Sequence, residues 1–142
     1  MPGASWLEWL TLGVAVRGLV TWQQRSRDER AGNCYEVAFW FFIESGIPAA
    51  GSKLVHGFPV YQQPGKDYGK LFGHAWVEAQ HPVIGTLCLN TIDLVWVPAP
   101  TFYRLGRIDA GLCHLYTKAQ ALQMVVEHET YGPWENGPPG AL

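Results

Sequence analysis

The stretch that most constrains this chain is the unbroken apolar run Val37-Ala38-Phe39-Trp40-Phe41-Phe42-Ile43, preceded by Asn33-Cys34-Tyr35-Glu36. Asn33 is a favoured N-cap type, and Glu36 stands three residues later, where its carboxylate can reach back to the N–H of Asn33. Gly46, with Pro48 just beyond, supplies a C-terminal stop. The pattern predicts a helix over 34–45. Apolar residues cover its whole circumference, so such a helix belongs in the interior with other elements on several sides.

The elements around it read as a mixture. Residues 5–24 read as a helix, with Gly13 and Gly18 as weak points, and 23–32 as a polar connector. Strand-like content follows at 52–62, with Pro59 marking an edge or bulge. Turn residues fill 62–69, then 70–78 reads as a strand, 81–85 as a loop and 86–97 as a second strand ended by Pro98 and Pro100. Thr117 and Gln120 form a capping-box pair opening a helix to 127 or 128. Hairpin-length connections between strands favour an α+β fold, a buried central helix packed on an antiparallel β-sheet. The chain divides into an N-terminal helix and connector (1–30), a core (31–134) and a loose tail (135–142), all within one domain spanning 1–142.

Composition narrows the function. The chain has 142 residues, 48% of them hydrophobic, and seven tryptophans, enough for a large apolar core. Charged residues are only 15% and the net charge is -2, so bulk electrostatics gives no attraction for nucleic acid. Arg25, Arg27 and Arg30 alternate with Asp28 and Glu29 and read as a solvated segment. Three cysteines, Cys34, Cys88 and Cys113, are an odd number without a short-spaced pair, which points to a reducing compartment. The apolar stretch 6–22 is broken by Glu8 and Arg17 and lacks a basic leader or cleavage site. It reads as a helix packed on the domain, with no stable membrane insertion and a cytoplasmic location.

Cys34 stands at the first helical position, where free backbone amides and the helix dipole favour an anion. A thiol placed there ionises more readily. The plainer reading is a small buried hydrophobe, since free cysteine is among the most buried residue types. A thiol nucleophile needs a base and a group to orient that base. His74, in Gly73-His74-Ala75-Trp76-Val77-Glu78, shares a strand face with Phe72, Trp76 and Glu78. A hairpin turning about Val83-Ile84 sets Glu78 opposite Leu89, Trp76 opposite Thr91 and His74 opposite Asp93, making Asp93 the orienting acid. A slip of one residue removes Asp93 from that face. The other histidines, His56, His81, His114 and His128, have no comparable partner in the sequence. The backbone N–H of Cys34, with the side chain of Asn33 or Gln24, would form the oxyanion hole. Trp76, Tyr68 and Phe72, with Trp40, would line a substrate cleft. Cys88, Cys113, His114 and either His74 or His128 lack the spacing of a structural zinc site, so no metal or other cofactor is expected.

The order of Cys at a buried helix start, Gly-His-Ala-Trp-Val-Glu on a strand and Asp on the next resembles the transglutaminase-like branch of the papain-like cysteine enzymes. It is similar in particular to small bacterial and phage members and to the leader peptidases of peptide-maturation systems. The resemblance covers about residues 30–100. It implies a papain/transglutaminase-like core and a Cys34-His74-Asp93 triad. The activity implied is hydrolysis of a peptide, isopeptide or other amide bond in a peptide or protein substrate. Amine-accepting transfer, or an inactive peptide-binding domain of the same fold, are the alternatives. The Asp-Pro-Thr ending common after the family's acid is absent, the chain reading Ile92-Asp93-Leu94-Val95.

Overall fold

A computed structural model describes residues 25–48 and 50–142; the helix expected over 5–24 and the oxyanion candidate Gln24 lie outside them. The fold is α+β. Five antiparallel strands form one sheet, in the order β4-β3-β2-β1-β5. They are β1 Lys53–Gly57, β2 His74–His81, β3 Gly85–Asn90, β4 Val95–Pro98 and β5 His114–Tyr116. The helices are α1 Arg27–Gly32, α2 Cys34–Glu44, α3 Ala99–Gly106 and α4 Lys118–His128. Among the described residues no helix is long and apolar enough to cross a membrane.

Helix α2 forms where the apolar run predicts it and presents no fully exposed residue. Phe39, Phe41 and Phe42 pack with Leu54, Ala75, Val77, Ala79 and Leu89, so α2 covers one face of the sheet through the odd-numbered residues of β2. The even-numbered face holds Trp76 and Cys88 with Val55, under Phe102 and Tyr103 of α3. Alternation of side chains along a strand sorts the two cores.

Four expectations need correction. First, Asn33 occupies the N-cap position of α2 without a side-chain cap bond; its amide Nδ2 instead donates to Glu29 O at 2.7 Å. The supposed connector is the reason: Ser26 caps a short helix, α1, whose last carbonyls compete for that side chain. Second, the single strand over 86–97 is two. β3 stops at Asn90, residues 91–94 turn with Leu94 at φ 57°, and β4 returns. Third, Pro98 and Pro100 do not merely end a strand. They open α3, because proline is suited to the first helical turn. Fourth, the tail is anchored: Leu142 N donates to Leu71 O at 2.8 Å, and Gly137 sits against Phe58.

The register differs by one residue from the expected hairpin. Val77 pairs with Leu89, Glu78 with Cys88 and His81 with Gly85. The loop between them has three residues, 82–84, followed by Gly85 in the left-handed region at φ 94°. His81 Nδ1 holds it by accepting the N–H groups of Val83 at 3.1 Å and Ile84 at 3.0 Å. The Thr117–Gln120 capping box forms in both directions, as its spacing predicts.

Candidate functional site

The start of α2 meets the start of β2. Cys34 is the first residue of its helix and 6% exposed. Backbone amides of Ala75, Tyr35 and Cys34 itself lie close enough to its sulfur to favour the ionised form. The Ala75 amide is available for a structural reason. Its carbonyl accepts Thr91 Oγ1 at 3.0 Å, beyond the last ladder pair between β2 and β3. In an antiparallel strand the N–H and C=O of one residue point to the same side. The thiol therefore lies where β3 has left β2 unpaired, next in sequence to His74. Burial pushes the Cys34 thiol up, and the three amides oppose that rise.

His74 opens β2 on the α3 face, also 6% exposed. Its ring lies 6.1 Å from Phe72 and 6.0 Å from Trp76, centroid to centroid. Burial lowers its pKa to about 4, so it stands neutral at neutral pH, in the form that can accept a proton. It lines a cavity of about 370 Å³ together with Phe72, Phe102, Ile92, Arg27 and Asn90.

Asp93 does not face His74. It sits on the 91–94 turn and binds Arg27 Nε at 2.8 Å, both side chains well exposed. Asn90 Nδ2 donates to the second Asp93 oxygen at 3.3 Å, while Asn90 Oδ1 accepts Ile92 N at 3.0 Å. Arg30 Nε reaches Ile92 O at 2.7 Å, so α1 pins the whole turn. The cause of the correction is the three-residue loop, which shifts the ladder by one, together with the early end of β3. Asn90 is one of three polar residues, with Arg27 and Gln62, that share the His74 cavity, and sequence reasoning missed it. Pro82-Val83-Ile84 counted as the whole loop would have placed Asn90 opposite Trp76, on the face His74 shares.

The expected cleft divides. Phe72 lines the His74 cavity. Trp76 is fully buried, its Nε1 donating to Glu78 Oε2 at 3.0 Å and its ring against Phe102, so it is core and not cleft. Tyr68 projects from the turn, more than half exposed. Trp40 packs on Phe39 and Tyr131. Asn33, occupied by Glu29 O, is not free to serve an oxyanion. Glu78, on the strand face that His74 shares, accepts from the Tyr103 hydroxyl.

One histidine set aside on sequence has a carboxylate partner. His56 is fully buried, its Nδ1 lies 3.0 Å from Glu135 Oε1, and Glu135 Oε2 accepts the Tyr116 hydroxyl. The separation of 79 positions between His56 and Glu135 left no sequence signal for this pair. Among the described residues no group of His, Cys, Asp or Glu is arranged to hold a metal ion. No protein-family model, curated protein or solved structure matches the chain.

Proposed function

We propose that the protein is a cysteine-dependent hydrolase with a papain/transglutaminase-like core, acting by acyl transfer on a peptide, isopeptide or other amide bond. The observation that carries this reading is the thiol at the start of α2, surrounded by backbone N–H donors, one of them belonging to the residue after His74. Cys34 Sγ attacks the carbonyl carbon while its proton passes to neutral His74. The N–H groups at the helix start receive the developing oxyanion. Collapse expels the amine, which takes the proton from His74 and leaves a thioester on Cys34. Water then attacks the thioester, giving its proton to His74, and the thiol is restored when the acid departs.

A raised thiol pKa and a lowered imidazole pKa favour proton transfer during attack over a standing thiolate–imidazolium pair. Asn90 lines the same cavity as His74, with its amide engaged by Asp93 and by Ile92 N. Three free thiols fit a reducing, cytoplasmic setting.

Alkylation of Cys34 by iodoacetamide at pH 7 tests the reading. His74→Ala is expected to slow it by about tenfold or more, with Cys88 and Cys113 replaced by Ser to isolate the signal. An unchanged rate would remove His74 as the base.

A further inference from the structure

Gly73 and His74 are consecutive, yet they line different cavities. The His74 cavity carries the cationic Arg27. The Gly73 cavity, about 340 Å³, carries the carboxylate of Glu135 and the ring of Tyr35, the residue next to the nucleophile. A Cβ at Gly73 would crowd Tyr35 Oη, so a side chain there would displace the phenol from the cavity. The Gly73 cavity thus takes in the sequence neighbours of both Cys34 and His74, and carries a carboxylate where the His74 cavity has none.

Glu135 is fixed before any ligand arrives. Its side chain is 11% exposed, one oxygen is tied to His56 Nδ1 and the other to the Tyr116 hydroxyl. Burial alone would raise its pKa, but the bonds from His56 and Tyr116 hold it below the usual carboxylate value. Each oxygen still has a lone pair for another donor. His56 Nε2 is the one buried side-chain nitrogen or oxygen among the described residues without a hydrogen-bond partner. Leaving such an atom unpaired costs stability. What the imidazole does with its other nitrogen is aim Glu135. Phe58, Pro133 and Pro138 supply apolar walls around the carboxylate, suited to an aliphatic stem ending in a cation.

We propose that this cavity is a subsite for a basic side chain, lysine or arginine, within two residues of the scissile bond of a peptide substrate. The assignment rests on Cys34 as the nucleophile. The cation would pair with Glu135 while its stem lies along Phe58 and the proline rings.

The experiment digests a mixture of internally quenched decapeptides, randomised at their central positions, and reads the cuts by mass spectrometry. Cuts are expected beside Lys or Arg. Resynthesised Lys and norleucine versions of one peptide should differ in kcat/KM by about tenfold or more, and Glu135→Gln should bring the ratio close to unity. Ala141→Trp, which fills the same cavity and leaves both partners of the His56–Glu135 bond in place, should also collapse the ratio, so a folding defect in the first variant does not decide the matter. Cuts without basic preference, or a ratio that survives both variants, overturn the subsite and leave the thiol chemistry standing. The subsite is overturned in the same way if Cys34 alkylates in a His74-dependent manner but no peptide is cut. No cutting together with His74-independent alkylation overturns both.

Discussion

His56 and His74 stand on neighbouring strands, one ladder position apart, and have opposite surroundings. His56 pairs across the sheet with Ala75, so it faces α2, among Tyr35, Tyr116 and Trp134. His74, one residue earlier on β2, faces α3 and an apolar cavity. The first has a carboxylate fixed against Nδ1; the second has aromatic neighbours and a pKa lowered by burial. Both histidines are buried, so burial alone does not separate the proposed base from a structural imidazole. A carboxylate on His74 would raise its pKa and stabilise the imidazolium, whereas its present setting keeps the ring neutral.

The strongest challenge to this contrast comes through the ring that backs His74. Trp76→Ala should cost about 4 kcal/mol in chemical denaturation, since a fully buried indole is removed from between β2 and α3. Tyr68→Ala, at an exposed turn, should stay within about 0.5 kcal/mol. A Trp76 loss as small as that of Tyr68 would return the indole to the cleft.

A pH titration probes the two histidines next. The folded pKa of His74, about 4, lies below its ordinary value of 6.5, so on acidification the unfolded chain takes up the proton first. The stability contribution of neutral His74 is complete above about pH 6.5 and is lost as pH falls to about 4, on the order of 3 kcal/mol. His74→Gln should flatten the stability curve in that window. A slope that persists in the variant would assign it elsewhere.

On the opposite face, Glu135→Gln should cost about 2 kcal/mol, because a buried charged acceptor serving two donors becomes neutral. Combined with Tyr116→Phe, the losses should fall short of additive, as expected for partners in one network. Strict additivity would mean the two do not share a bond.

The smallest effect belongs to Asp93. Its pair with Arg27 is well exposed on both sides, so Asp93→Asn should cost less than about 1 kcal/mol and leave Cys34 alkylation within about twofold. A large drop in that rate would restore Asp93 as the orienter of His74.

Much of the fold can be read from the chain. An apolar run with no polar face can only be an interior helix, and α2 is one. The Thr117–Gln120 spacing is a local hydrogen-bond pattern, and it forms. What could not be read depends on counting across a turn. A loop of three residues in place of two moves every cross-strand partner by one, which took Asp93 off the His74 face; Trp76 is core because α3 packs over it. The prolines at 98 and 100 have two meanings, terminator and helix opener, and the burial of Phe102 against Trp76 selects the second.

The amino-acid order by itself settled where the central helix begins and that a thiol stands at its first position. These follow from short-range rules of capping, periodicity and propensity. Tertiary structure alone decided which side chains meet: Asp93 with Arg27, His56 with Glu135, and the Cys34 sulfur with the Ala75 amide. The first and last of those contacts depend on where β3 stops and how α1 pins the following turn, and the second on the tail returning to β1. Their energies come from residues far apart in sequence, which no local pattern encodes.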